Sequence, residues 1–528
     1  MSSKTSNYPM DTHEEVEHTA RRIDIAILGA GVSGLAAAIA LLRHPQLSAQ
    51  LRSITIFDKQ HRVGGALGHS TQDGYLVEAA AQGVLASRKS FMSLLETTGL
   101  DSKALTGHPA LQRFLILEKG PRKIVAISAN PVALVASGLL TLWGLFRTLC
   151  EPFVSRAQPN AKETLFQFVE RRFGHNAAMR FIVPLATGIW GGGARRLLVR
   201  HVFPRLVELE QQSSSVIIGM IAFMFRNRRN KTRGPRGLVT FAAGMESFPL
   251  ALHKLAMDLA EKADVELNMR LGTEIASVEL TINSDKRTFG TPAGIRLHIA
   301  GTNDSNETNE GRDFNGVIST IPLWRENLDF RLSKVAQDDL PGSSREETAR
   351  FLQQRLALLR KTNSHGLVVV ALGGSDSITP KQGFGALAPE NSQNLLGVIF
   401  VHSVVPEHAP SGHFLYRLML GGDRDPRFVE RSNQDCIACA RQHLRDLGLV
   451  TDKAEFHFER VFKWPAFIPL QDESQDDRLH AISELESAFP GLVFAGNYLT
   501  GVGVHDCLVA AEASVQRMAE RMTKNLAY

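Results

Sequence analysis

The chain has 528 residues, 44% hydrophobic and 21% charged, with a formal net charge of +5. That length allows roughly two to four domains with a large core, and the composition excludes a disordered chain. The positive balance is mild and no aromatic-interleaved basic motif accompanies it, so no nucleic-acid partner is expected.

Residues 1–20 are polar and acidic. They lack the apolar core of a signal peptide and the Arg-rich, acid-poor character of a transit peptide, and they read as a disordered tail. Ile23–Asp58 then forms a strand–turn–helix–strand unit. An apolar run ends at Leu28, and Gly29, Ala30, Gly31, Val32, Ser33 and Gly34 carry the spacing GxGxxG. A small-residue helix follows, and a second β-rich run ends in Asp58. Gly29 permits the tight turn, Gly31 lets backbone approach a pyrophosphate, and Gly34 lets helix and strand pack closely. The helix N-terminus offers free N–H groups to phosphate. Asp58 can accept from both ribose hydroxyls and would repel a 2′-phosphate.

Beyond Asp58 and Lys59, Arg62 precedes a second glycine turn, Gly64-Gly65. A basic residue and a second turn suit a larger dinucleotide, FAD. Ser90–Leu100 reads as an amphipathic helix and Arg113–Leu117 as a strand. No charged residue occurs from Ile124 to Phe146, and the continuous apolar part, Pro131 to Phe146, is 16 residues. As one helix it would cover roughly 24 Å, short of a bilayer core. A buried core helix and a helix dipping into one leaflet are both open readings.

Ala161–Phe173 and Arg200–Gln212 read as helices, and the glycine-rich stretch around Trp190 as a loop near a ligand or a close backbone contact. Val216–Phe225 is apolar, and Arg226, Arg228, Arg229, Lys231, Arg233 and Arg236 follow it, a pattern suited to an anionic lipid surface. Strands at Leu367–Leu372, Gly397–Val401 and Leu415–Leu420 predict a second, β-sheet domain. Cys436 and Cys439 lie in a helical pattern with no partner motif, so they read as core residues, with no metal site. Leu492–Met518 is a second strand–glycine–helix unit. Its helix N-terminus is suited to stabilise negative charge on a reduced flavin.

GAGVSGL at Gly29, the R-x-G-G at Arg62, EPF at Glu151, RRFG at Arg171 and VRHVFPRLVELEQ at Val199 occur in family order. So do GMESFPLAL at Gly244, VISTIP at Val317, GFGALAP at Gly383, LGVIFVHSVVPEHAPSG at Leu396, LGGDRDP at Leu420 and GNYLTGVGVHDC at Gly496. The chain from about Ile23 thereby resembles the oxygen-dependent, FAD-containing protoporphyrinogen oxidases of the flavin amine oxidase superfamily. The resemblance implies an α/β fold: a Rossmann-like FAD domain, a mixed-sheet substrate domain and a helical membrane-binding domain. The expected segments are 21–88, 236–325 and 470–528 for FAD, 89–180 for the membrane, and 181–235 with 326–469 for substrate.

It further implies six-electron oxidation of protoporphyrinogen IX with molecular oxygen as acceptor and peroxide as product. The expected placement is monotopic, on the cytoplasmic face of a bacterial inner membrane or on the mitochondrial inner membrane, with a homodimer or a ferrochelatase contact as possible assemblies. Lys59, Ile275, Gly496, Asn497, Val502, Gly503 and Val504 match cofactor positions. Trp190, Gly191, Leu372 and Phe400 match substrate-cavity positions. Ala80-Ala81-Gln82, before Gly83, departs from the family's Gly-Pro-Arg beside the flavin. The family's substrate-carboxylate arginine has no counterpart, and Arg113 is the substitute candidate. Rival readings are a coproporphyrinogen III oxidase, a flavin oxidase of an apolar or amine substrate, and a non-catalytic flavoprotein paralogue.

Overall fold

The computed structural model describes residues 23–106, 111–117, 123–128, 130–158, 161–229, 237–281, 294–300, 312–333 and 342–524. The polar tail, the polar stretch 301–311 and Lys231, Arg233 and Arg236 of the cationic run lie outside these residues, as do the side chains of Arg226, Arg228 and Arg229.

Five parallel strands form the cofactor-side sheet. Their spatial order is Glu266–Leu271, Leu51–Asp58, Ile23–Leu28, Gly316–Ser319 and Leu492–Phe494. Such a sheet needs apolar residues on both faces, and these strands supply them. Ile25, Ile27, Ile54, Ile56, Ile318 and Val493 face the helices Val32–Arg43, Ser247–Lys262 and Val504–Lys524. Ala26, Leu28, Phe57, Val317, Leu492 and Phe494 face the other way. There they meet a four-stranded sheet and the helices Gly342–Arg360 and Gln475–Ala488. Every strand of this parallel sheet falls within 21–88, 236–325 and 470–528.

A seven-stranded mixed sheet forms the second layer. Its order is Glu455–Pro469, Ser364–Ser375, Phe414–Gly421, Leu395–Phe400, Gly385–Leu387, Arg113–Leu117 and Lys123–Ala126. The last two strands come from the 89–180 segment expected to be helical and membrane-binding; Arg113–Leu117 pairs parallel with Gly385–Leu387. The helix Asn433–Asp446 covers one face, with Cys436 buried beneath it. The other face turns towards the hairpin His69–Gln72 and Tyr75–Glu78.

The remaining helices form a third unit. Pro131–Phe146 is not one helix: it divides into Pro131–Ala136 and Leu142–Leu149. Asn130 caps the first through Val132 N–H at 2.9 Å, and Thr141 caps the second through Gly144 N–H at 2.9 Å. Among the described residues no helix is long and apolar enough to cross a membrane. The EPF and RRFG motifs meet here. Arg172, fully buried, lies 2.9 Å from Glu210 and 3.3 Å from Glu151. Glu151 in turn accepts Val216 N–H at 2.9 Å, so a buried acid caps the helix Val216–Arg229.

Candidate active site

The two glycine turns meet where the parallel sheet ends. Gly29 N–H donates to Phe57 O at 2.7 Å, and Ala30 N–H to Asp58 Oδ2 at 2.7 Å. Gln60 N–H takes the other carboxylate oxygen at 2.8 Å. Each Asp58 oxygen keeps lone-pair capacity for a ribose hydroxyl. Gly64 N–H donates to Ala30 O at 2.9 Å, which stitches the second turn to the first. The three fingerprint glycines have distinct surroundings. A Cβ on Gly29, whose φ is +107°, would lie 2.3 Å from Thr320 Oγ1, and one on Gly34 would lie 1.8 Å from Gly29 O. At Gly31 the nearest atom to such a Cβ is Gly65 Cα, 3.8 Å away. Gly29 and Gly34 therefore serve packing, whereas Gly31 has room for a Cβ in ordinary contact with Gly65.

The basic residues act on the protein itself. Arg62 donates to the carbonyls of Val63, Gly65 and Leu67 at 2.8–3.2 Å and lies 3.5 Å from Glu246, so it braces the second turn. Lys59 pairs with Glu326 at 2.5 Å. Ile275 begins a strand two residues after Thr273, whose N–H donates to Asp58 O at 2.8 Å.

The third wall comes from the far end of the chain. Gly496, at φ +140°, and Asn497 precede the turn to Val502 and Gly503, and Val504 opens the terminal helix. Asp506 accepts Gly503 N–H at 3.1 Å, so an acid already occupies part of that helix N-terminus. The Cys507 thiol, hydrogen-bonded to the Ser33 side chain, is pushed up to about 11 by burial. That contact joins the first fingerprint helix to the last helix.

Ala80-Ala81-Gln82-Gly83 sits between these walls and the mixed sheet. Arg417 donates to Glu78 O at 3.1 Å and to Ala80 O, and Trp464 Nε1–H to Ala79 O at 2.9 Å. Three successive carbonyls are thus held by one face of the sheet. Gly83 packs so closely that a Cβ would lie 2.5 Å from Val239 O. Gln82 is buried, and neither its Oε1 nor its Nε2 has a partner among the described residues. An unpartnered buried amide, an open Gly31 cradle and a ribose-ready acid all fit FAD.

The substrate candidates do not converge. Leu372 and Phe400 lie in the core beneath Asn433–Asp446, on the sheet face away from the cofactor segment. Strand alternation is the reason: Ala371 and Ile399, one residue earlier, pair across the ladder with Arg417 and face Tyr75 and Val77. Trp190 ends the helix Val183–Trp190 and packs in the helical core. Gly191 approaches His365 and Gly422, and a Cβ on the adjacent Gly192 would overlap the Asp423 carboxylate. That loop is a close backbone contact. Arg113 is exposed, its guanidinium 5.4 Å from the Phe384 ring centre. Reading by resemblance missed Arg417 and Trp464. One signal was present: Arg417 is the only charged residue in the otherwise apolar strand FLYRLMLG.

A Rossmann-like sheet, two interlocked glycine turns and an apposed mixed sheet define a flavin-dependent oxidoreductase. Residues 32–519 match the flavin-containing amine oxidoreductase family, and the chain belongs to it. It is 27% identical over 516 residues to the mitochondrial protoporphyrinogen oxidase of Nicotiana tabacum, covering 94% of each chain. It is 24% identical over 502 residues to the coproporphyrinogen III oxidase of Bacillus subtilis (strain 168), covering 93% of this chain and 97% of that one. The fold is also similar to the crystal structure of a provisionally named protoporphyrinogen oxidase from Exiguobacterium sp. 255-15. There the TM-score is 0.71 at 19% identity, covering 96% and 99% of the chains. The cofactor is FAD.

Proposed function

We propose that the chain oxidises protoporphyrinogen IX to protoporphyrin IX, removing six electrons in three cycles, with oxygen as acceptor and peroxide as product. The observation that carries this reading is the end-to-end similarity to the tobacco enzyme, 94% of both chains. When bound, FAD would supply the acceptor for hydride lost from a substrate carbon, with oxygen as the final electron acceptor. The chain's own residues hold that reaction. Asp58 would anchor a ribose, and the Gly31 amide and the helix behind it would hold the pyrophosphate. The Gln82 amide is available to a polar edge of the flavin. Arg417 and Trp464 fix the segment carrying it against the mixed sheet.

The helical unit supports a monotopic membrane placement. Leu142, Trp143, Phe146 and Leu149 share one helical face and are exposed, Trp143 at 72% and nearby Phe153 at 89%. Ile218, Ile221 and Phe225 repeat the pattern on the helix Val216–Arg229. A membrane surface is where an apolar macrocycle would be delivered.

The test uses the purified flavoprotein in mild detergent. Protoporphyrinogen IX and coproporphyrinogen III are supplied separately in air, and porphyrin fluorescence and peroxide are followed. Turnover of the first substrate with stoichiometric peroxide supports the proposal. Exclusive turnover of the second moves the assignment to the coproporphyrinogen reading, and turnover of neither despite bound FAD removes both.

A further inference from the structure

A cavity of about 700 Å³ lies between the helical unit and the loop after Gly385–Leu387. Trp143, Arg147, Asn176 and Arg180 line it, with Glu390 at the loop side. Its walls are built. A Cβ on Gly144 would meet Asn176 Oδ1 at 2.5 Å, and one on Gly174, whose φ is +90°, would meet Arg147 Cγ at 2.6 Å. Asn176 Oδ1 accepts Thr141 N–H at 3.0 Å. The Arg147 guanidinium donates to the carbonyls of Arg171 and Arg172 at 2.5 and 3.0 Å.

Arg180 differs from these. It sits in a π-helical turn, Ala178–Ile182, a rare distortion that often accompanies function. Among the described residues it is half-buried and has no hydrogen-bond or ion-pair partner. The acid on the opposite side, Glu390, pairs with Arg195 at 3.4 Å. The cavity therefore carries one uncommitted cation and a second cation whose charge is not neutralised by a carboxylate. It takes an anion. One of its walls, Trp143, belongs to the exposed apolar face of Leu142–Leu149. A ligand seated there would meet a cation at its head and an apolar surface beside it, the arrangement an anionic lipid requires.

We infer that this cavity is a headgroup site for an anionic phospholipid, with Arg180 as its phosphate-binding cation and Leu142–Leu149 lying along the acyl chains. The inference rests on the membrane-surface reading above. It deepens that reading from apolar contact to lipid-selective docking.

The experiment measures binding of the full-length flavoprotein to vesicles by flotation. One set is phosphatidylcholine alone, and the other is phosphatidylcholine mixed with phosphatidylglycerol. Wild type is expected to bind the mixed vesicles more tightly. Arg180→Gln should lower that preference about fivefold, the effect of one cation at a surface, while Arg180→Lys keeps it. Lys361→Gln, an equal charge loss on an exposed residue outside the helical unit, should leave it unchanged. Flavin absorbance and Tm of each variant report an intact fold. A preference that survives Arg180→Gln, or that falls equally in Lys361→Gln, overturns the site while leaving the membrane reading in place. Displacement by inorganic phosphate at constant ionic strength overturns the lipid assignment. Failure of wild type to bind either vesicle overturns both.

Discussion

Arg417 lies buried beside Glu78 and donates to the backbone carbonyl of Glu78, not to its carboxylate. The Glu78 Oε1 is taken by Met245 N–H at 2.7 Å, and Oε2 has no partner among the described residues. Burial pushes the Glu78 carboxyl up to about 7 and pulls Arg417 down to about 10. In both groups the cost of leaving water outweighs their attraction to each other.

A pH dependence of stability results. The folded-state value of Glu78 lies above its ordinary value of 4.5, so the folded chain holds that proton more tightly than the unfolded chain. The contribution is fully present below about pH 4.5 and is lost as pH rises through about 7. Glu78→Gln, neutral at every pH, should flatten this part of the profile. Above about pH 8 it should be the more stable protein, by up to the order of 3 kcal/mol. Urea unfolding of both proteins across that range checks it.

Arg417→Met tests the carbonyl clamp. It leaves the carbonyls of Glu78 and Ala80 buried without their donor, at a cost of about 2–5 kcal/mol. The segment bearing Gln82 should then shift against the flavin. The expected readouts are a lowered Tm and a changed visible flavin spectrum. Trp464→Phe, which releases only Ala79 O, should show a smaller change in the same direction.

The fingerprint glycines should separate by phenotype. Gly31→Ala has room within the protein, so it should fold and retain its Tm without cofactor, yet bind FAD at least about tenfold more weakly. Gly34→Ala has no room, because its Cβ would enter the Gly29 carbonyl, and it should not yield a stable fold. Flavin titration of the apoproteins, with circular dichroism, distinguishes the two.

Gln82 should act on the cofactor rather than on the fold. Gln82→Met keeps the volume and removes two polar atoms that have no partner within the described protein. Stability without FAD should be unchanged or slightly raised, and FAD affinity should fall by about 1–2 kcal/mol. Calorimetry with and without FAD reads both quantities.

Arg172→Met should be the most damaging substitution in the helical unit. It leaves Glu151 buried without its cation and Glu210 with Arg171 alone, costing about 3–5 kcal/mol. The Glu151 cap on Val216–Arg229 should loosen with it. Proteolysis within that unit, at a temperature where wild type resists, is the measurement.

The cofactor half of the fold was legible because its signals are local. GxGxxG, the acid at Asp58 and the turn at Gly64-Gly65 each have one physical reading, and together they name a dinucleotide cradle. The substrate half was not. Its face assignments depend on strand register, which the order of motifs does not reveal: Leu372 and Ala371 are neighbours in sequence and lie on opposite sides of the sheet. The apolar run after Pro131 misled for a different reason. Uncharged composition says nothing about a turn: Asn130 caps the start of the run, and Thr141, the cap that divides it, is a single polar residue inside it. The EPF and RRFG motifs were visible as text, but their meeting around Arg172 is a tertiary event.

The cofactor-side sheet has a consequence in time. Its central strand, Ile23–Leu28, leaves the ribosome well before its edge strand, Leu492–Phe494. Between them the chain must build the mixed sheet and the helical unit without a finished flavin cradle. Stable flavin capture is therefore a late event in the life of each molecule. A chaperone that shelters the half-built sheet, or a cellular shortage of flavin at that moment, would set how much of the newly made protein matures.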